Sequence, residues 1–271
     1  MNAPAEMKFF TSSDGDLGYR EAGAGDLVVL LHSGFVDHHV FDDHIPALAE
    51  THRVIAPDIR GHGASANASR PFRWTDDLAE LLDHLDAGPA VLVGVSMGGL
   101  VVSDTLLEHP ELVRAAVVCG ASTGEFQDSD PWHRGIQAEI ARTLAAGDLE
   151  GWLKAFLSYV PGPHRTLDDI DPAIPRRLRE MALSTLAKHT PGERDQLVRV
   201  TDTWSRLPKV DVPVLTLNGA LDTPDVIAAA QRLADEVRHG RAELIDDTGH
   251  YLNMEKPAEF TAAIRTFLKS L

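Results

Sequence analysis

The sequence predicts an α/β protein, with a mostly parallel, eight-stranded sheet, helices on both faces and a four-helix insertion. Three observations carry this. Continuous apolar runs, the mark of strands buried on both faces, alternate with helical patterns from the first third of the chain onward. A turn dipeptide, Asp14-Gly15, separates two strand-like segments ahead of them. Residues 122–208 then break the rhythm with helical patterns alone.

Taken in order, residues 7–11 and 17–21 are expected to form an antiparallel hairpin at the sheet edge. Leu27–Leu31, 54–56, Ala90–Val95, Val113–Cys119, 214–217 and 243–245 are the expected central strands. In the insertion, Pro131–Ala146, 149–159, 172–188 and 193–207 carry helical periodicity. Breakers fall between them at Gly147-Asp148, Pro161-Gly162-Pro163 and Thr190-Pro191-Gly192. The expected organisation is a core of residues 1–121 and 209–271 beneath a cap of residues 122–208. The cap carries 13 acidic and 11 basic residues, so the acidity resides in the core, with 28 acidic and 14 basic.

The chain has 271 residues, 44% of them hydrophobic and 24% charged, enough apolar mass for a sizeable core. Its 25 Lys and Arg against 41 Asp and Glu give a net charge of -16, which repels nucleic acid. The N-terminus lacks a basic segment followed by an apolar one, and no stretch reaches the ~18 apolar residues of a membrane span. No membrane partner is expected. The single cysteine, Cys119, lies in an apolar strand and reads as a small core residue; a reducing, cytoplasmic setting fits it.

The most specific chemical signal is Gly94-Val95-Ser96-Met97-Gly98, between the strand 90–95 and a helical pattern over 100–108. This is G-x-S-x-G in a strand-turn-helix context, where the tight turn strains the serine and exposes its hydroxyl. A phosphate-binding loop would need a lysine that is absent here. Serine needs a base to take its proton and a third group to orient that base. Asp222 follows the strand 214–217, at the sheet edge where such folds build sites, with Asp225 as the alternative acid. His250 follows the last strand, completing the order Ser96, Asp222, His250. The amide of Met97, next to the serine, is the expected first donor to an oxyanion.

On these residues the chain resembles Ser-His-Asp α/β-hydrolases with a helical cap, over essentially its whole length. Further marks are His32-Ser33-Gly34-Phe35, the run from Pro57 to Gly63, and Gly249-His250-Tyr251-Leu252-Asn253-Met254-Glu255-Lys256-Pro257. The last two are similar to those of 3-oxoadipate enol-lactonase-like hydrolases and small esterases. Ser33 departs from the pattern, which has glycine there. The resemblance implies a second oxyanion donor at Gly34, or at Phe35 if Ser33 shifts the turn. It also disfavours epoxide hydrolases and dehalogenases, which carry Asp at the elbow. The serine and its glycines resemble those of C-C hydrolases too, but the acid loop Ala220-Leu221-Asp222-Thr223-Pro224 does not match theirs.

Asp37, His38, His39, Asp43 and His44 cluster without metal-ligand spacing and read as a solvated helix entry. Asp58, Arg60 and His62 read as structural hydrogen bonding. The cap arginines Arg176, Arg177 and Arg179 read as an exposed face, with these or Arg134 as weaker candidates for neutralising a substrate carboxylate. Cap aromatics are expected partly as packing and partly as an apolar pocket, with Trp132, Trp152 and Phe156 as candidate substrate contacts.

The sequence therefore predicts a cofactor-free hydrolase of small carboxylic esters or lactones, acting through an acyl-enzyme as a monomer or homodimer. The alternatives are a small-molecule sensor of the same fold with slow turnover, a perhydrolase, or a C-C hydrolase.

Overall fold

A computed structural model describes residues 6–126, 129–190 and 192–271; Pro191 of the third breaker and residues 1–5 of the N-terminal reading lie outside them. The strands are β1 (Glu6–Ser12), β2 (Gly15–Ala22), β3 (Leu27–Leu31), β4 (Arg53–Pro57), β5 (Ala90–Val95), β6 (Val113–Cys119), β7 (Pro213–Gly219) and β8 (His239–Ile245). They form one sheet in the order β1-β2-β4-β3-β5-β6-β7-β8. β2 pairs antiparallel with β1 and β4, and every other pairing is parallel. The fold is thus the eight-stranded α/β sheet that the apolar runs predict. β8 starts four residues before the expected run because it is an edge strand, and its first three residues are exposed.

The helices are α1 (Ile45–Leu48), α2 (Trp74–His84), α3 (Met97–Glu108), α4 (Pro131–Ala146), α5 (Leu149–Leu157), α6 (Ala173–Leu186), α7 (Thr203–Arg206), α8 (Pro224–Glu236), α9 (Leu252–Glu255) and α10 (Pro257–Lys269). Side chains alternate across a strand, so β3 sends Val28 and Leu30 to one apolar cluster and Val29 and Leu31 to another. Leu81 of α2, Val102 of α3 and Leu233 of α8 cover one face; Leu48 of α1 and Ile264 of α10 cover the other. A strand buried on both sides must be apolar throughout, as all five residues of β3 are.

Within 122–208, α4 begins where the Asp130 side chain accepts the His133 amide at 2.9 Å, and ends at Gly147 with φ +67°. Asp148 caps α5 in the same way through the Gly151 amide. Trp152 and Phe156 of α5, and Leu178 and Met181 of α6, join the cluster that contains Val28 and Leu30. The insertion's apolar side is therefore continuous with the sheet's core. The fourth expected helix, 193–207, is helical only over α7 and at Leu207, where a 3-10 turn begins. Leu197 instead makes a parallel bridge with Phe72, through Phe72 N–H to Gln196 O at 3.1 Å and Val198 N–H to Phe72 O at 2.8 Å. Val198, Val200 and Thr201 are β-branched, and the extended partner at Phe72 overrides the segment's helical periodicity.

Candidate functional site

Ser96 occupies the turn between β5 and α3 with φ +53° and ψ -114°, a strained conformation for a residue with a side chain. The turn is tight because strand and helix touch: a Cβ on Gly94 would collide with the carbonyl of Gly98, and one on Gly98 with the carbonyl of Leu31. The Ser96 amide donates to Cys119 O on the neighbouring strand at 2.7 Å, which fixes the turn to β6. Cys119 itself is fully buried, and burial pushes its thiol far above the usual range, as a core residue requires.

The loops after β7 and β8 are laced together by backbone hydrogen bonds, Ala220 N–H to Ile245 O at 3.0 Å and Leu221 N–H to Thr248 O at 2.9 Å. They bring Asp222 Oδ2 to 2.8 Å from His250 Nδ1. Asp222 is 5% exposed, and its other oxygen accepts the Thr223 amide at 2.7 Å. Asp225 is occupied elsewhere, accepting from the amides of Ser129 and Asp130 and from the Ser129 hydroxyl. Burial pulls the His250 pKa down, but the charge of Asp222 and its hydrogen bond outweigh burial, so the net direction is upward from 6.5. A Cβ on Gly120 would lie 3.2 Å from His250 Cε1, so the backbone after β6 forms the seat of the imidazole.

Ser96 and His250 line one cavity of about 380 Å³, beneath α4 and α5. The Ser96 hydroxyl has no hydrogen-bond partner among the described residues, so the carboxylate–imidazole half of the constellation is formed while the hydroxyl stands unpaired on the same wall. Such contacts tighten when substrate binds. Met97 and Gly34 share that wall, and a Cβ on Gly34 would sit 3.8 Å from the Met97 side chain. The Met97 amide is the first of α3 and has no carbonyl four residues back within the helix. Phe35 takes φ +63°, where the chain reverses, and its ring packs edge-on against Trp152 and Phe156 at centroid distances of 4.8 and 5.9 Å.

His32 fixes this loop from behind. The Ile59 amide donates to its Nε2 at 2.9 Å, so the ring proton resides on Nδ1, which donates to Ser33 O at 2.7 Å. Burial lowers the His32 pKa, in keeping with a neutral ring.

Phe156 lines the cavity, whereas Trp132 and Trp152 are not among its described lining residues. Trp152 is 1% exposed, stacked on Phe156 and buried behind it, and Trp132 packs against Tyr159. Helical spacing marks a buried face but not which layer of aromatics reaches the void. The residues that do reach it include Tyr159, Gln137, Tyr251 and Arg199. For Tyr251 a signal existed, its position next to His250; for Arg199 there was none, because its segment was expected to be helical.

Ligand atoms of Asp37, His38 and His39 lie within 4.8 Å of one another, but they are engaged. Asp37 caps the following turn through the His39 amide and ring, and His38 Nδ1 bonds Asp58 at 2.7 Å. Arg60 forms a forked pair with Asp77 at 2.8 and 2.6 Å. None of these residues is among the described lining of the cavity, and Asp37, His38 and His44 are buried and hydrogen-bonded rather than forming the solvated helix entry expected.

The family model described as "alpha/beta hydrolase fold" matches residues 26–257. The chain belongs to the α/β-hydrolase fold family. Among curated relatives of this α/β-hydrolase, 3-oxoadipate enol-lactonase 2 of Acinetobacter baylyi is 25% identical over 266 residues, covering 96% of this chain and 95% of that protein. A Mycobacterium tuberculosis protein provisionally assigned as the non-heme bromoperoxidase BpoC is 30% identical over 272 residues, covering 94% and 98%. Among solved structures, an esterase from Rhodococcus sp. ECU1013 superposes with a TM-score of 0.82 at 26% identity, covering 98% of this chain and 99% of that one. The expected resemblance to enol-lactonases and esterases agrees with these names. Among the described residues no helix is long and apolar enough to cross a membrane.

Proposed function

We propose that this α/β-hydrolase cleaves small carboxylic esters or lactones through an acyl-enzyme on Ser96. The observation that carries the reading is the 2.8 Å bond between Asp222 and His250, opening on the same cavity wall as the strained, unpaired Ser96. Esterase and lactonase relatives support the substrate class.

Ser96 Oγ attacks the carbonyl carbon while His250 Nε2 takes its proton, and Asp222 holds the ring in the tautomer that leaves Nε2 free. The tetrahedral oxyanion receives the amides of Met97 and Gly34, both residues of the cavity wall, with Phe35 as the alternative second donor. Collapse expels the alcohol with the proton from His250. Water, deprotonated by the same imidazole, then releases the acid and regenerates Ser96. Atoms and charges balance with no cofactor. Residues 122–208 act as the cap that roofs this cavity, and Phe156 contributes its apolar wall. The relative with a peroxidase name favours a second reading, in which hydrogen peroxide replaces water at the acyl-enzyme and a peracid is released.

Ser96→Ala is expected to abolish both turnover of a p-nitrophenyl ester and covalent labelling by a fluorophosphonate. Labelling that persists at another residue removes the assignment. Peracid formation from acetate and peroxide tests the second reading.

A further inference from the structure

Resting on the ester-hydrolase reading, we propose that the cavity selects substrates whose acyl portion ends in a carboxylate, and that Arg199 is the group that receives it. The described wall contains no Asp or Glu, and Arg199 is its only Lys or Arg. On a chain of net charge -16, a cationic group in a cavity free of described acids is a local reversal of the surrounding field. Phe35, Leu100, Ile140, Phe156 and Val226 make the rest of the wall largely apolar, suited to the hydrocarbon between a scissile carbonyl and a terminal charge.

Arg199 arrives there through a specific backbone arrangement. The bridge between Phe72 and Leu197 holds residues 196–198 extended, and Arg199 follows directly at the cavity. Its one ion pair among the described residues, with Asp195 at 3.7 Å, joins side chains 63% and 69% exposed, a contact that water screens and a ligand can displace. Asp104, on α3 two turns beyond Ser96, lies in a small void that shares Leu100, Gly124 and Arg199 with the cavity. Burial and the neighbouring Glu108 push its carboxyl up to about 7 against the opposing charges of Arg199 and Arg206. A guanidinium offers a carboxylate two parallel N–H donors, so it fixes orientation as well as charge.

The test is binding to the Ser96→Ala protein, measured by calorimetry with monomethyl glutarate and its neutral counterpart, dimethyl glutarate. The monoanion is expected to bind roughly two- to fivefold tighter, as a part-exposed charge pair implies. Adding Arg199→Gln should erase that preference while leaving dimethyl glutarate affinity unchanged, and Arg199→Lys should retain part of it. In the Ser96→Ala protein carrying native Arg199, raising salt should weaken only the monoanion, a readout that does not depend on the second substitution folding. Equal affinities for the two esters, or equal weakening of both by Arg199→Gln, overturns the proposal. Failure of the hydrolase reading would look different: Ser96→Ala would retain turnover while the charge preference persisted.

Discussion

Arg165 and Glu255 form a 2.7 Å ion pair that ties the segment above the cavity to the loop bearing His250. Glu255 Oε1 also accepts the Gly249 amide at 2.7 Å, and Arg165 Nε donates to Pro161 O at 2.9 Å. One carboxylate thus holds the residue next to His250 and a guanidinium from residues 122–208. Glu255→Ala is expected to destabilise the protein by roughly 1–3 kcal/mol, the range for a hydrogen-bonded charge that loses its partner. It should also lower kcat by loosening His250. Urea unfolding and ester turnover on the same preparation check both.

On the proposed mechanism, in which His250 is the base, the rate should depend on pH through its imidazole. The base must be neutral to accept the serine proton, and Asp222 raises its pKa above 6.5. Protonation therefore silences the free enzyme below that value, and kcat/KM should rise with a midpoint above 6.5. Asp222→Asn removes the charge that raises the pKa and is expected to cost orders of magnitude in kcat. A pH–rate profile of both proteins, flat from pH 5 to 9 in the native chain, would contradict the assignment.

Gly98 is the sharpest steric test of the turn. A methyl group there meets the Leu31 carbonyl, which belongs to a central strand and has little room to move. Gly98→Ala should cost roughly 1–3 kcal/mol or more, the overpacking range, and displace the loop carrying Gly34. Thermal unfolding with a fluorophosphonate labelling rate reads out both effects.

Asp58 should report acid stability. It is buried, and although burial alone would raise its pKa, hydrogen bonds from His38 and Ala64, with the charge of His38, hold the carboxyl down at about 2 against an ordinary 3.8. A depressed folded-state pKa stabilises the native state above 3.8, and that stability is lost as pH falls from 3.8 towards 2. Asp58→Asn is expected to reduce stability at neutral pH and to flatten its decline over that window. Denaturant unfolding at several pH values checks it.

Much of this molecule is legible before any coordinates. The apolar runs at Leu27–Leu31 and Ala90–Val95 announce strands buried on both faces, since only such strands have no side facing water. Ser96 is marked by its glycines, because each is required by a backbone contact that any side chain would block. Asp222 is the favoured acid in sequence, with Asp225, three residues on, as the alternative. The lacing of two loops decides between them by turning Asp222 toward His250 while Asp225 caps residues 129 and 130.

The primary sequence by itself determined the α/β class and the sheet's strands, because local periodicity and turn sterics encode them. Tertiary packing alone decided the rest: that 196–198 runs extended beside Phe72, that Trp152 stands behind Phe156 rather than in the cavity, and that Arg199 reaches its wall. The physical reason is that cavity walls are assembled from segments far apart in the chain. Which side chains meet there depends on contacts between segments, and no single segment carries that information.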